Sequence, residues 1–342
     1  LNTLSLPRWP TAFGGPVGRG RIKTCPEDFQ VEEILGFEPS GDGEHVFLWV
    51  EKRGLNTEQV AGRLAAFAGV PRQRVSYAGL KDRHALTRQW FCVHLPGGRE
   101  PRWPACRGEG FRVLSWTRNR RRLRRGALSG NRFRIRIRRL SAPAGELTAI
   151  LRRIQCQGMA NYFGAQRFGR QAENVIRAQA LLAGEEKIRC RHRRGLYLSA
   201  ARALIFNQVL ALRIEGKTWN RALPGDLFMF AQGNAFFSAG IDPTIERRVA
   251  ALEIHPSGPL WGAGDRAGGE AGKIEAEAVA RWPQLAEGLE RYTRAMRRSL
   301  RVPVARLAWR LTDGELVLEF ELPAGSYATV LIDELIELEE GD

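Results

Sequence analysis

After Pro303 the chain carries two strand-like runs, residues 306–311 and 315–322, and then a short helical run from Ser326. Two strands and one helix bury too little apolar surface to fold alone. They must add to a sheet built earlier in the chain, so the stretch that separates them from that sheet is an insertion. The expected organisation is therefore a discontinuous domain, residues 1–157 plus 303–342, interrupted by a second domain at 158–302.

The earlier sheet is legible in the first half. Residues 45–52 (HVFLWVEK) are rich in strand formers, and Asn56 then opens a helix with Gln59 as its capping-box partner. Val60, Leu64 and Phe67 share one face of that helix, which Gly69 and Pro71 stop. Residues 75–78 and 87–95 read as strands around a loop at 79–83. In 133–138 (FRIRIR) strict alternation puts Phe133, Ile135 and Ile137 on one face and Arg134, Arg136 and Arg138 on the other. From Glu146 the period becomes helical, with Leu147, Ile150, Leu151 and Ile154 as one stripe before Gly158. The middle segment mixes helices, including a long one at 198–215, with Gly- and Pro-rich loops at 256–264 and 268–272.

Charge narrows the partners. The 342 residues carry a formal net charge of +16. Residues 118–139 hold eleven arginines and no acid, whereas 333–342 hold six acids. Such an asymmetry predicts a basic face that attracts a polyanion, with RNA, DNA and acidic membrane as candidates. The five cysteines (Cys25, Cys92, Cys106, Cys156, Cys190) form no CxxC pair, which argues against a disulfide framework or zinc knuckle and for a reduced, cytoplasmic setting. No apolar run of signal-peptide length stands in residues 1–20, and no segment reads as a membrane span, so no membrane is expected. No heptad seam is present, and a monomer is the expectation.

The motif with chemical content is 77–95 (YAGLKDRHALTRQWFCVHL), where Asp82 stands between Lys81 and Arg83. Flanking cations favour the ionised carboxylate. An ionised carboxylate attacks or stabilises a sugar C1′ as a glycosidic bond breaks, while Lys81 and Arg83 hold the adjoining phosphates. A bare KDR triplet is more often a charged turn, so the longer string carries the argument. The five histidines, at 45, 84, 94, 192 and 255, make no metal-ligand spacing with one another or with the cysteines, and no metal or organic cofactor is expected.

That longer string resembles the signature of the TruD family of tRNA pseudouridine synthases at Ala78, Gly79, Lys81, Asp82, Arg83, Ala85, Thr87, Gln89 and Trp90. Residues 26–35 (PEDFQVEEIL), preceded by Lys23, resemble the family's N-terminal segment. Asn131 and Phe133 in 129–133 (SGNRF) match its active-site Asn and Phe. Residues 161–169 (NYFGAQRFG) are similar to the opening of its inserted domain, and 322–329 (LPAGSYAT) to its last motif, with Tyr327 where the family usually has Phe.

The resemblance implies an α+β fold: a pseudouridine synthase mixed and antiparallel sheet interrupted by an inserted TRUD α/β domain, with RNA held in the cleft between them. It implies isomerisation of uridine in tRNA at position 13, in the D stem, with Asp82 as the essential carboxylate. Lys23 would touch the backbone or Asp82, Asn131 would position Asp82 or the base edge, and Phe133, then Tyr327, would support a base held out of its stack. Arg134, Arg136 and Arg138 would bind RNA. The alternatives are the same chemistry on another RNA, a non-catalytic RNA-binding protein of this fold, and a metal-dependent nuclease.

Overall fold

In a computed structural model of the chain, which describes residues 5–97, 100–231, 233 and 235–339, the alternating arginine run is the middle of one long strand, Leu128–Ser141. The strand Glu315–Pro323 lies antiparallel along one side of it, with Phe320 opposite Phe133 and Leu322 opposite Asn131. Phe29–Leu35 lies antiparallel along the other side, with Val31 opposite Phe133 and Glu33 opposite Asn131. Residues after Pro303 thus rejoin the N-terminal sheet, and Ala305–Thr312 adds one strand further out.

The sheet continues through a parallel pair, Phe29–Leu35 with Leu86–His94. Beyond it follow His45–Arg53 and Phe111–Asn119, each antiparallel to its neighbour. Eleven strands, parallel and antiparallel, make up this sheet among the described residues. Its core is the alternation made physical: Val46, Leu48 and Val50 pack with Phe91 and Val93 against Val60, Ala61 and Leu64 of the helix Thr57–Phe67. Each Val, Leu and Phe side chain among them contributes about 1.5–3 kcal/mol by leaving water. The capping box of Asn56 and Gln59 is present.

By contacts the chain groups into two units. One comprises Gly18–Ala144, Val304–Gly325 and the described residues from Glu337 onward. The other comprises Gly145–Pro303, Ser326–Ile336 and the described residues up to Val17. Compared with the expected boundaries, the helix Ala144–Gln157 and the short helix Ala328–Asp333 group with the inserted segment.

The second unit is built on the helix Arg191–Glu215, which begins seven residues before the expected start. Its first turns, RHRRG, carry no apolar stripe by which to recognise them. By length and composition this helix could cross a membrane, contrary to the expectation that no segment approaches a span. Its most apolar window is 61% buried inside the protein, and Ala200, Leu204 and Leu210 have no exposed surface. A four-stranded sheet accompanies it.

The acidic tail is partly structural. Glu334 is buried and accepts the Ala12 and Phe13 amides at 2.8 and 3.1 Å. Glu339 pairs with Arg21 at 2.8 Å. Two of the six acids, Glu340 and Asp342, lie outside the described residues.

Candidate active site

Asp82 sits on a loop that enters from the strand Val75–Tyr77 and leaves into Leu86–His94. Its Oδ1 accepts the His84 amide at 3.0 Å, and its Oδ2 accepts the Lys23 ammonium. Burial pushes the Asp82 carboxyl up, but the Lys23 hydrogen bond and charge and the His84 amide outweigh it, holding the group below the ordinary aspartate range. The carboxylate is therefore ionised at neutral pH, and about a third of the side chain faces solvent.

Lys23 reaches that position from a left-handed backbone, φ 58°, which costs a lysine on the order of 1 kcal/mol. Its ammonium also lies 4.5 Å from the centre of the Phe29 ring. Phe29 meets Phe133 edge-on at 6.3 Å, and Phe133 stacks on Phe320 at 5.3 Å. The expected aromatic surface at Phe133 is therefore mostly inside, with the residue 6% exposed.

Asn131 is within a strand and not in a turn. Gly130 before it has a backbone reason: an added Cβ would meet the Leu322 carbonyl at 2.5 Å. The Asn131 Oδ1 is buried and accepts no hydrogen bond from the protein, which is costly unless a ligand donates to it.

The neighbours of Asp82 in the motif part company. Arg83 is exposed, with Nε 3.3 Å from the Gly54 carbonyl. Lys81, expected to hold a phosphate, turns inward, its Nζ 2.7 Å from Glu33 Oε1. The other Glu33 oxygen accepts the Trp90 amide at 3.0 Å.

The loop is clamped from inside by groups for which the motif alone suggested no role. Gln89 donates to the Gly79 carbonyl at 3.2 Å, Thr57 Oγ1 accepts the Lys81 amide at 3.0 Å, and Lys52 donates to the Asp82 carbonyl at 2.7 Å. Thr57 in turn donates to Gln89 at 3.0 Å. Lys52 had a legible signal: it follows Val46, Leu48 and Val50 in the inward phase of its strand.

The basic strand is not a free cationic face. Arg134 pairs with Glu319 at 3.0 Å, Arg136 lies 3.9 Å from Glu315, and Arg138 pairs with Asp28 at 2.9 Å and Glu315 at 3.0 Å. The acids of 315–321 alternate in phase with the arginines, because both stand on the same face of an antiparallel ladder.

Tyr327 belongs to the second unit. Its hydroxyl accepts Arg167 Nε at 3.1 Å and its ring meets Phe163 at 6.2 Å. Gly164 leaves room for that ring, since a Cβ there would come within 3.0 Å of it. Among the described residues, no group of three or more His, Cys, Asp or Glu side chains converges as a metal-ligand set.

A mixed sheet interrupted by an inserted unit, with an ionised, cation-held aspartate on a clamped loop, defines a pseudouridine synthase type of fold carrying an insertion. The crystal structure of a TruD protein from Methanosarcina mazei has this fold, with TM-score 0.74, 24% identity, and coverage of 97% of this chain and 96% of that one. The chain belongs to the TruD family, tRNA pseudouridine synthase D, which it matches over residues 13–189 and 190–335. It is 50% identical over 334 residues to the tRNA pseudouridine synthase D of Methylococcus capsulatus, spanning 96% of this chain and 94% of that protein. It is 47% identical over 332 residues to that of Azotobacter vinelandii, with the same coverage.

Proposed function

We propose that this protein isomerises uridine to pseudouridine in tRNA, at position 13 in the D stem, with Asp82 as the essential carboxylate. The observation that carries the reading is the state of Asp82: ionised, accessible, and held by Lys23 on a loop clamped from below. The chain's membership of the TruD family supports the reaction and the tRNA substrate.

The chemistry needs no external electrons. The bond from uracil N1 to C1′ breaks, the base turns within the site, C5 bonds to C1′, the C5 proton leaves for solvent, and N1 takes up a proton in its place. A carboxylate beside C1′ assists either by attacking it or by removing a sugar proton, and in both cases it must be charged. Lys23 keeps it so. Asn131, with its unpaired Oδ1, accepts a donor on the base edge or orients Asp82 through one. Arg83, exposed beside the carboxylate, meets the phosphate next to the target sugar.

Other roles shift with the geometry. Lys81 acts on the loop through Glu33 and not on RNA directly. Phe133 supports the site floor, and the base rests against whatever edge of the ring remains open. Arg134, Arg136 and Arg138 reach RNA by exchanging a carboxylate for a phosphate, so each contributes less than a free arginine would. Tyr327 extends an aromatic surface in its own unit, tied to Arg167.

The test is tritium release from tRNA transcripts labelled at uridine C5, with Asp82→Asn as the comparison and a transcript lacking uridine 13 as the second arm. Release by the wild type alone, lost with uridine 13, supports the whole reading. Release from a transcript lacking that uridine overturns the position, and turnover by Asp82→Asn overturns the role of the carboxylate.

A further inference from the structure

Lys52 is a cation with no exposed surface. Its Nζ donates to two backbone carbonyls, Leu55 at 2.9 Å and Asp82 at 2.7 Å, and no ion pair joins it to a carboxylate among the described residues. A buried ammonium without a carboxylate partner is costly, and such groups persist where they are paired or where they work. If packing alone were at stake, the phase of Val46, Leu48 and Val50 would continue with another apolar side chain.

The charges around Lys52 give it a direction. Burial pushes its ammonium down to about 8, the Asp82 charge pulls it back up, and Lys81 pushes it down. The attraction is mutual: a charge that Asp82 stabilises is one that stabilises Asp82. Lys81 is itself matched by Glu33, which leaves Lys52 and Lys23 as the cations bonded to Asp82, one at its carbonyl and one at its carboxylate.

We propose that Lys52 is a positioning residue of the isomerisation: from beneath the loop it fixes the Asp82 backbone and supplies a second positive charge that keeps the carboxylate ionised. This rests on the reading of Asp82 given above. Lys52 touches no substrate, and its whole effect passes through Asp82. Lys23 is the partly accessible half of the same arrangement and Lys52 the half that substrate cannot displace.

Two variants separate bond from charge. Lys52→Gln retains a donor and removes the charge, while Lys52→Met removes both. On the tritiated transcript, kcat should fall about tenfold in Lys52→Gln and about a hundredfold in Lys52→Met, with KM for tRNA within about threefold. Because loss of a nearby positive charge raises the Asp82 pKa, both variants should also begin to lose rate on acidification at a pH about one unit higher than the wild type does. Folded variants with wild-type kcat, or with an unchanged pH dependence, overturn the proposal.

If the variants do not fold, the coupling is read from the other side. The chain has six lysines, so selective side-chain labelling gives a resolvable NMR titration. The lysine that titrates near 8 should move to lower pH in Asp82→Asn, and an identical titration in the two proteins overturns the proposal. Turnover by Asp82→Asn would fail the reading of Asp82. An inactive Asp82→Asn beside unaffected Lys52 behaviour would fail only this inference.

Discussion

Lys81 and Glu33 form an ion pair 2.7 Å long whose side chains are 6% and 0% exposed, so a conspicuous cation of the motif serves the loop and not the solvent. Removing one partner leaves the other charge buried and uncompensated. Lys81→Met should destabilise the protein by about 3–5 kcal/mol, and adding Glu33→Gln should recover part of that loss. Urea denaturation of Lys81→Met, Glu33→Gln and the double variant checks it. Simple additivity would mean that the two side chains do not depend on each other.

The arginine strand gives a second expectation, through salt. A protein that loses three free phosphate contacts should lose a slope of about 2–3 in log K against log salt. Because Arg134, Arg136 and Arg138 are ion-paired with Glu319, Glu315 and Asp28, the triple change to Ala should lower the slope by less than about 1. Binding of labelled tRNA at several salt concentrations measures it, and a drop near three would show that RNA displaces every carboxylate.

Tyr327 supplies a milder case. Tyr327→Phe restores the family's usual residue and deletes one hydrogen bond from Arg167. The expected cost is about 1 kcal/mol in stability, with turnover within about threefold of wild type. Thermal unfolding and the tritium assay together decide it. A large loss of turnover would give the hydroxyl a place in the reaction.

Stability should also depend on pH through Glu334. Burial pushes its carboxyl up to about 7, against which the Ala12 and Phe13 amides and Arg153 pull down, while Asp333 pushes it further up. The folded chain holds this proton more tightly than the unfolded one. The associated stability is therefore fully present below the unfolded value of about 4.5 and is lost as pH rises through about 7. Glu334→Gln should flatten denaturation midpoints across that window, and an unaltered slope would place the titration elsewhere.

The sheet was legible wherever burial alternates in sequence. Phe133 to Arg138 announces both its strand and its faces, His45 to Lys52 announces its strand, and the need of residues 306–322 for a partner gave the insertion. The pairing of charges across strands was not read. Glu315, Glu319 and Glu321 share one phase of their strand, interrupted by Val317, but only the register sets them opposite Arg138, Arg134 and Arg132. At the site, Asp82 was legible because its motif is local. Glu33, Thr57 and Lys52 escaped because the loop atoms they hold, the Lys81 ammonium and amide and the Asp82 carbonyl, are brought by folding from more than twenty positions away.

The interruption of the sheet also orders events during synthesis. Leu128–Ser141 leaves the ribosome with Phe29–Leu35 already available, but its other neighbour, Glu315–Pro323, is still some 170 residues away. At about 5–20 residues per second, that open flank waits roughly ten to thirty seconds for its partner. An unpaired strand is a template for wrong association, and charged side chains blunt it. Arg134 and Arg136, which end beside Glu319 and Glu315, thus spend the nascent chain's most vulnerable interval without those carboxylates, where mutual repulsion between copies keeps the unfinished sheet from finding another chain's strand first.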